Sequence, residues 1–335
     1  MSFSSYNSID GLRLLLKDIK EVYPNDKPIL EFYGTVKLHG TNAGIGYCGE
    51  KIWAQSRSNI INTTFDNNKF ALYVETNKEY FTELMKKIVE TNNINLETEY
   101  IVLFGEWCGK GIQSKVGITQ FDKMFFAFDV KVISKNNKEH NYYISTKLPE
   151  IVSNPEKSIY NIHSFKTYLI KVDLNNLELA QNEITKIVDE VEVNCPITEA
   201  LGKNGIGEGV VFRHYYNPKD RFVFKAKGKL HQVTESKQKV PIKVEINQEV
   251  TEFIKNTCTE NRFEQSLEHI YKLNPDLSTF NKDYEMKDLK YIVEWIRDDI
   301  IKEERDTIEE NNFNTTNFYT LIAKIVSPMF KKKIC

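Results

Sequence analysis

No run in this chain approaches the roughly 20 consecutive apolar residues of a membrane-spanning helix. The only apolar stretch near the start carries Asp10, Arg13, Lys17 and Asp18, which argues against a secretory leader. Cysteine is scarce: Cys48, Cys108, Cys195, Cys258 and Cys335 are scattered and odd in number, with no CxxC pair and no zinc spacing. That excludes a disulfide framework and points to unpaired thiols in a reducing compartment. Neither charge dominates, because 45 Lys and Arg face 47 Asp and Glu for a net of -2. Any polyanion site must therefore come from local clustering of the basic residues. No internal repeat is visible. The Gly105-x-x-x-Gly109-x-Gly111 run lacks both the Lys-Ser/Thr ending of a phosphate loop and the spacing of a dinucleotide fingerprint. These absences together predict a cytoplasmic, or otherwise intracellular, protein.

At 335 residues, 41% hydrophobic and 27% charged, the chain has the composition of an ordinary soluble protein and is long enough for two domains. Phe32, Gly34, Val36 and Leu38 alternate with Tyr33, Thr35 and Lys37, a strand period. Residues 100–104, 124–132, 209–215 and 221–227 also read as strands, being rich in Phe, Val, Ile and Tyr. Tyr80, Phe81, Leu84, Met85 and Ile88 fall on one helical face, and Leu177, Ala180, Ile184, Ile187, Val188 and Val191 on another. Strands before and after helices predict an α+β fold with mainly antiparallel sheets over residues 1–236. Residues 237–248 are polar, contain Pro241 and read as a linker. Residues 249–335 predict a small all-helical domain. Its helices are marked by Phe263, Leu267 and Ile270; by Leu289, Ile292, Val293, Ile296 and Ile300 with Asp288 as N-cap; and by Phe318, Leu321, Ile322, Ile325 and Val326, ended by Pro328. Lys331-Lys332-Lys333 reads as a solvated tail.

The stretch Lys37-Leu38-His39-Gly40-Thr41-Asn42 carries the chemistry, because a lysine at the end of a strand, beside a His-Gly turn, can attack a nucleotide phosphate. A lysine nucleophile must first lose its proton, which burial and neighbouring cations favour. Lys225 and Lys227 meet that demand: two apart in a strand, they leave the same face, while Phe224 and Ala226 turn to the core. Side by side they also want an anion between them. Glu106 and Glu208 are acids at strand ends, suited to ribose hydroxyls and to a divalent ion. Glu208 is the better metal candidate, since Gly205, Gly207 and Gly209 would let a phosphate approach closely. Phe128 offers an aromatic face for a purine, and Arg57 a bidentate phosphate clamp. Each feature alone has a plainer reading as a surface charge or a core ring; their order along the chain is what carries weight.

In that order the segments resemble the covalent nucleotidyltransferase superfamily of RNA ligases, DNA ligases and mRNA capping enzymes. They are most similar to the RNA ligase 2 family, the bacteriophage nick-sealing type that includes RNA-editing ligases. The resemblance spans about two-thirds of the chain. It implies a nucleotidyltransferase (ATP-grasp-like ligase) domain of antiparallel sheets with flanking helices. It also implies that Lys37 becomes AMP-linked, and His39, where DNA ligases have Asp, points to the RNA ligase branch. By the same resemblance Asn42 handles phosphate, Arg57 contacts it, Glu106 contacts ribose, and Phe128 stacks on adenine, followed by Asp129 as in the family. Glu208 is the metal-associated acid, and Lys225 and Lys227 are the phosphate pair. Arg213 stands where the family often has lysine; its charge is kept and its contact geometry changes. The helical C-terminal part, in place of the OB-fold barrel of DNA ligases and capping enzymes, is implied to grip nucleic acid.

The expected function is ATP-dependent RNA ligation. It joins 3′-OH and 5′-phosphate ends through lysyl-AMP and RNA-adenylate, most readily at nicks in duplex RNA, with Mg²⁺ (or Mn²⁺) as the ion. Lys37, His39, Lys225 and Lys227 would be catalytic; Lys37, Asn42, Arg57, Glu106, Phe128, Lys225 and Lys227 would bind the nucleotide. Arg57, Asn42 and Arg213 would meet RNA phosphates, and Glu208 would hold the metal. The partner would be RNA, with no membrane, and the chain a monomer. Two alternatives stand: a DNA ligase or GTP-using capping-type enzyme, which His39 and the helical C-terminus oppose, and a non-catalytic RNA-end-binding protein of the same fold, which the intact lysine and acid set opposes.

Overall fold

The structure, a computed structural model, describes residues 2–136, 141–144, 151, 153–217, 220–231, 243–273 and 286–334. The chain divides into two compact units, Met1–Gly228 and Lys229–Cys335. In the first, strands β1 (Ile29–Lys37), β2 (Thr41–Tyr47), β3 (Ile52–Ser56), β4 (Ile60–Ile61), β5 (Glu99–Cys108) and β6 (Met124–Ser134) are followed by β7 (Tyr142–Tyr143), β8 (Ile159–Asn161), β9 (Thr167–Asp173), β10 (Gly209–Tyr215) and β11 (Arg221–Lys227). They form one sheet in the order β11-β10-β1-β9 and a second in the order β4-β3-β2-β5-β6-β7, with β8 beside β6. Pairing is antiparallel except between β6 and β8.

Burial follows the pattern of the residues. In β1, Leu30, Phe32 and Val36 are buried while Ile29, Glu31 and Tyr33 face out, the signature of a half-buried strand. The strands β5 and β6 are buried on both faces, which is why their sequences read as near-continuous apolar runs. The outer face of the first sheet packs on helices α1 (Leu12–Val22) and α4 (Leu177–Val193), whose Leu15, Ile19, Ile184 and Val188 join Phe32, Phe212 and Phe224 in one core. Helices α2 (Phe70–Thr76) and α3 (Lys78–Thr91) and the short α5 (Pro196–Ala200) complete this unit. Its α+β, antiparallel architecture is the one expected from the sequence.

The second unit is helical: α6 (Lys243–Thr257), α7 (Glu260–Leu273), α8 (Leu289–Glu303), α9 (Arg305–Glu310) and α10 (Phe318–Ile334). Residues 237–242 of the expected linker lie outside the described residues, and α6 occupies 243–248. Three local expectations are corrected here. Pro328 lies inside α10 rather than ending it. Phe318, Ile322, Val326 and Phe330 form one buried stripe, and burying Phe330 carries the helix through the proline despite its missing N–H. The three terminal lysines consequently form the last turn of α10, where Lys333 pairs with Glu264 at 3.0 Å. Asp288 occupies the cap position of α8 but has helical dihedrals, and its side chain makes no capping bond, because a 3-10 turn runs straight into the helix. Among the described residues no helix is long and apolar enough to cross a membrane. Four of the cysteines are free thiols; Cys335 lies outside the described residues.

Candidate active site

The chain passes from the first sheet to the second at the Lys37–Thr41 turn, since β1 ends at Lys37 and β2 begins at Thr41. Leu38 anchors the turn by burial. Gly40 has no room for a side chain: a Cβ there would lie 2.4 Å from the Trp107 carbonyl oxygen. Both peptide groups of Gly40 are held. Its N–H donates to Glu106 Oε1 at 2.8 Å, and its carbonyl accepts from Gln113 Nε2 at 3.0 Å. Lys37 is thus fixed where the chain crosses between the two sheets, its side chain a quarter exposed.

Register brings the charges together. Lys37 pairs with Gly209, and Gly209 with Lys227, so the two lysines flank one glycine in a single row and leave the same face. Glu208, the residue before that glycine, is 3% exposed and accepts from Lys37 Nζ through Oε2 at 2.6 Å. Its Oε2 also lies 3.4 Å from His39 Nδ1, and its Oε1 lies 3.7 Å from Lys227 Nζ. Burial on its own would raise this carboxyl, but Lys37, His39 and Lys227 override it and hold Glu208 well below the usual carboxylate range. Lys225 sits two rows further along, opposite Val211, on the same face as Lys227.

The second sheet contributes the other wall. Asn42 pairs with Glu106, and Arg57 follows Ser56 at the end of β3. Burial lifts the Glu106 carboxyl to about 7; Glu208 adds to the rise, while Lys37, the Gly40 N–H and Arg57 oppose it. Two acids that both feel the charge of Lys37 are thereby pushed in opposite directions: Glu208 is firmly ionised, and Glu106 titrates at about 7. The Asn42 Oδ1 atom is buried with no hydrogen-bond partner among the described residues, on a residue that pairs with Glu106 across the ladder.

Asp129 and Arg213 meet in a buried ion-pair cluster. Asp129 is buried and ion-paired with Arg221 at 2.6 Å and with Arg213 at 3.5 Å, and it accepts from the Tyr6 hydroxyl. Although burial opposes it, the two guanidiniums hold Asp129 down to about 2. Arg213, expected at RNA phosphate, is 5% exposed and also donates to Thr35 Oγ1 at 3.1 Å. Its charge is consumed in tying β10 of one sheet to β6 of the other. Phe128, half-buried, occupies a bulge of β6 and meets Tyr6 edge-on at 5.1 Å.

The glycines around Glu208 also answer a different need from the one expected. A Cβ at Gly205 would lie 2.4 Å from Gly117 Cα, one at Gly207 2.6 Å from Val191 Cγ1, and one at Gly209 2.0 Å from the Ala226 carbonyl oxygen. They permit close packing of protein on protein, which sets the position of Glu208. Gln113, Tyr6 and Arg221 had no sequence signal of their own: each acts on a partner more than 70 positions away.

No group of three or more His, Cys, Asp or Glu side chains suited to a metal occurs among the described residues. That donor set does not match an all-protein cage. It does match the habit of Mg²⁺, which is held by one or two carboxylates together with substrate phosphates. Glu208 is ionised and faces the lysine row.

Compared with known families, residues 30–227, more than half of the chain, match the profile described as RNA ligase. The chain belongs to the RNA ligase family. Solved structures of an RNA ligase from Naegleria gruberi are similar to it. One, a lysine-to-alanine mutant with ATP and Mn, is 17% identical with a TM-score of 0.45 and covers 68% of this chain and 57% of that one. Another, with PPi, is 17% identical with a TM-score of 0.42 over the same shares. The RNA ligase family member described here therefore spans under two-thirds of the Naegleria chain. No curated protein matches it.

Proposed function

We propose that this protein is an ATP-dependent RNA ligase that seals 3′-OH and 5′-phosphate ends, with nicked duplex RNA as its main substrate. The observation that carries the reading is the convergence of Lys37, His39 and Lys227 on the buried Glu208, beside Glu106. In the first step the Lys37 ammonium gives its proton to solvent, and the free amine attacks the α-phosphorus of ATP. A P–N bond forms, the bond to the bridging oxygen breaks, and pyrophosphate leaves. In the second, an oxygen of the RNA 5′-phosphate attacks the lysyl-AMP phosphorus, the P–N bond breaks, and the amine is restored. In the third, the 3′-hydroxyl attacks the activated 5′-phosphate, its proton is lost, and AMP departs. Splitting one difficult displacement into exchanges of similar energy is the gain of covalent catalysis.

The named residues divide the work. Glu208 holds Lys37 Nζ in place at the turn. Lys225 and Lys227 meet the charge that builds on the phosphorus oxygens in each transition state. In this reading Arg57 contacts phosphate, and the unmatched Asn42 carbonyl takes a water or ion beside it. Glu106 accepts from ribose hydroxyls, and Phe128 gives adenine a face. When bound, Mg²⁺ or Mn²⁺ held through Glu208 and phosphate oxygens neutralises phosphate charge. Residues 1–236 form the adenylyltransferase domain in this reading; 249–335, reached through 237–248, grip the nucleic acid. The protein acts as an intracellular monomer.

The test is sealing of a nicked duplex against circularisation of a single strand, with RNA or DNA swapped on each side of the nick. Faster sealing of the nick, with RNA required at the 3′-OH end, supports the proposal. Faster circularisation, or equal sealing of all-DNA nicks, contradicts it.

A further inference from the structure

We infer that His163 is a positioning residue for the nucleobase, because it fastens the bulge of β6 that turns the Phe128 ring into the cleft. The inference rests on the adenylyl-transfer reading above. In a regular strand neighbouring side chains point to opposite faces, so residues 128 and 129 could not both face the cleft. Here the pairing of β5 with β6 steps from Phe104↔Asp129 to Gly105↔Ala127, which leaves Phe128 as an extra residue. An extra residue interrupts the alternation. The outcome is visible in one neighbour: the Tyr6 ring meets Phe128 at 5.1 Å, and the Tyr6 hydroxyl donates to Asp129. Both side chains therefore stand on the same face.

A bulge leaves its residue unpaired across the ladder, so something else must hold it. The Phe128 carbonyl lies 3.1 Å from His163 Nε2. A carbonyl only accepts, so Nε2 carries the proton. His163 is itself fixed. It follows β8, whose Ile159, Tyr160 and Asn161 pair with Phe125, Phe126 and Ala127, the three residues before the bulge. Its own N–H donates to Asn161 Oδ1 at 3.0 Å, and Asn161 is buried. Backbone pairing thus holds β6 up to Ala127, and the imidazole holds the next residue.

The experiment measures lysyl-AMP formation with ATP and its reversal with pyrophosphate in the full chain. His163→Ala should raise the KM for ATP about fivefold, the worth of one neutral hydrogen bond. It should leave the KM for pyrophosphate, which has no base, unchanged. His163→Gln, which keeps a donor, should restore the ATP value; His163→Asn, too short to reach, replaces the alanine variant if that does not fold. In a Phe128→Ala background His163→Ala should add nothing. An unchanged ATP KM, an equal rise for pyrophosphate, or a full additional rise in the Phe128→Ala background overturns the inference while leaving adenylyl transfer standing. Failure of the unmodified protein to form lysyl-AMP removes both.

Discussion

Glu106→Gln separates the charge of this acid from its shape. The amide keeps an oxygen for the Gly40 N–H, which Glu106 accepts at 2.8 Å, and is nearly the same size. The wild-type carboxyl is lifted from 4.5 to about 7, chiefly by burial. A raised acid binds its proton more tightly in the folded state. Its contribution is therefore complete below about 4.5 and is lost as pH rises through 7. A shift of about 2.5 units is worth at most about 3.4 kcal/mol, and integrating the two titrations gives a loss of about 2.5 kcal/mol between pH 5 and pH 8. The variant has nothing to titrate there. Urea unfolding of both chains at the two pH values should show wild type falling relative to Glu106→Gln by about 2 kcal/mol, allowing for partial exposure to solvent. A difference that stays constant with pH, or that changes in the other direction, refutes the reasoning about this cleft. The same variant should bind ATP more weakly above pH 7, where the wild-type carboxylate is the better acceptor for ribose hydroxyls.

Asp129→Asn strands Arg213 and Arg221 in the interior and should cost about 3–5 kcal/mol of stability. The same acid, held down to about 2, lends stability above its unfolded value of 3.8 that disappears as pH falls toward 2, so the variant should lose that part of the acid-unfolding slope. Gly209→Ala would drive a Cβ to 2.0 Å from the Ala226 carbonyl oxygen at a φ of +152°. It should part β10 from β11 in the Lys37–Lys227 row and reduce adenylylation at least about tenfold, since displaced reacting groups lose rate steeply; near-normal labelling would show that the row tolerates movement. Pro328→Ala restores a helix N–H in α10 and should stabilise the chain by about 1–3 kcal/mol in urea unfolding, with no gain expected only if the helix were already broken there.

What the sequence disclosed followed from its periodic segments. The strands β5 and β6 announce themselves because burial on both faces demands unbroken apolar runs. The faces of α3, α4 and α8 show because the buried side chains recur every three or four positions. The strand β2 does not, since Gly44 and Gly46 hide its pattern; Gly46 is there because the Trp53 ring lies across it, only 2.0 Å from a would-be Cβ. The lysines and acids could be named from residue type and order, but their meeting depends on register, which no single segment encodes. Arg213 illustrates the cost of that gap. It reads as a phosphate contact in sequence, and the structure adds a buried ion pair with Asp129 of the other sheet that no segment foretold. The glycines before β10 misled in the same way, because Val191 and Gly117, which they accommodate, are distant in the chain.

The most direct measurement is incubation with α-labelled ATP and Mg²⁺, followed by denaturation and peptide mapping of any AMP that stays bound. Label on Lys37, stable in denaturant, discharged by pyrophosphate and absent from Lys37→Ala, is the result this account predicts. Label on another residue, or undiminished in Lys37→Ala, would contradict it.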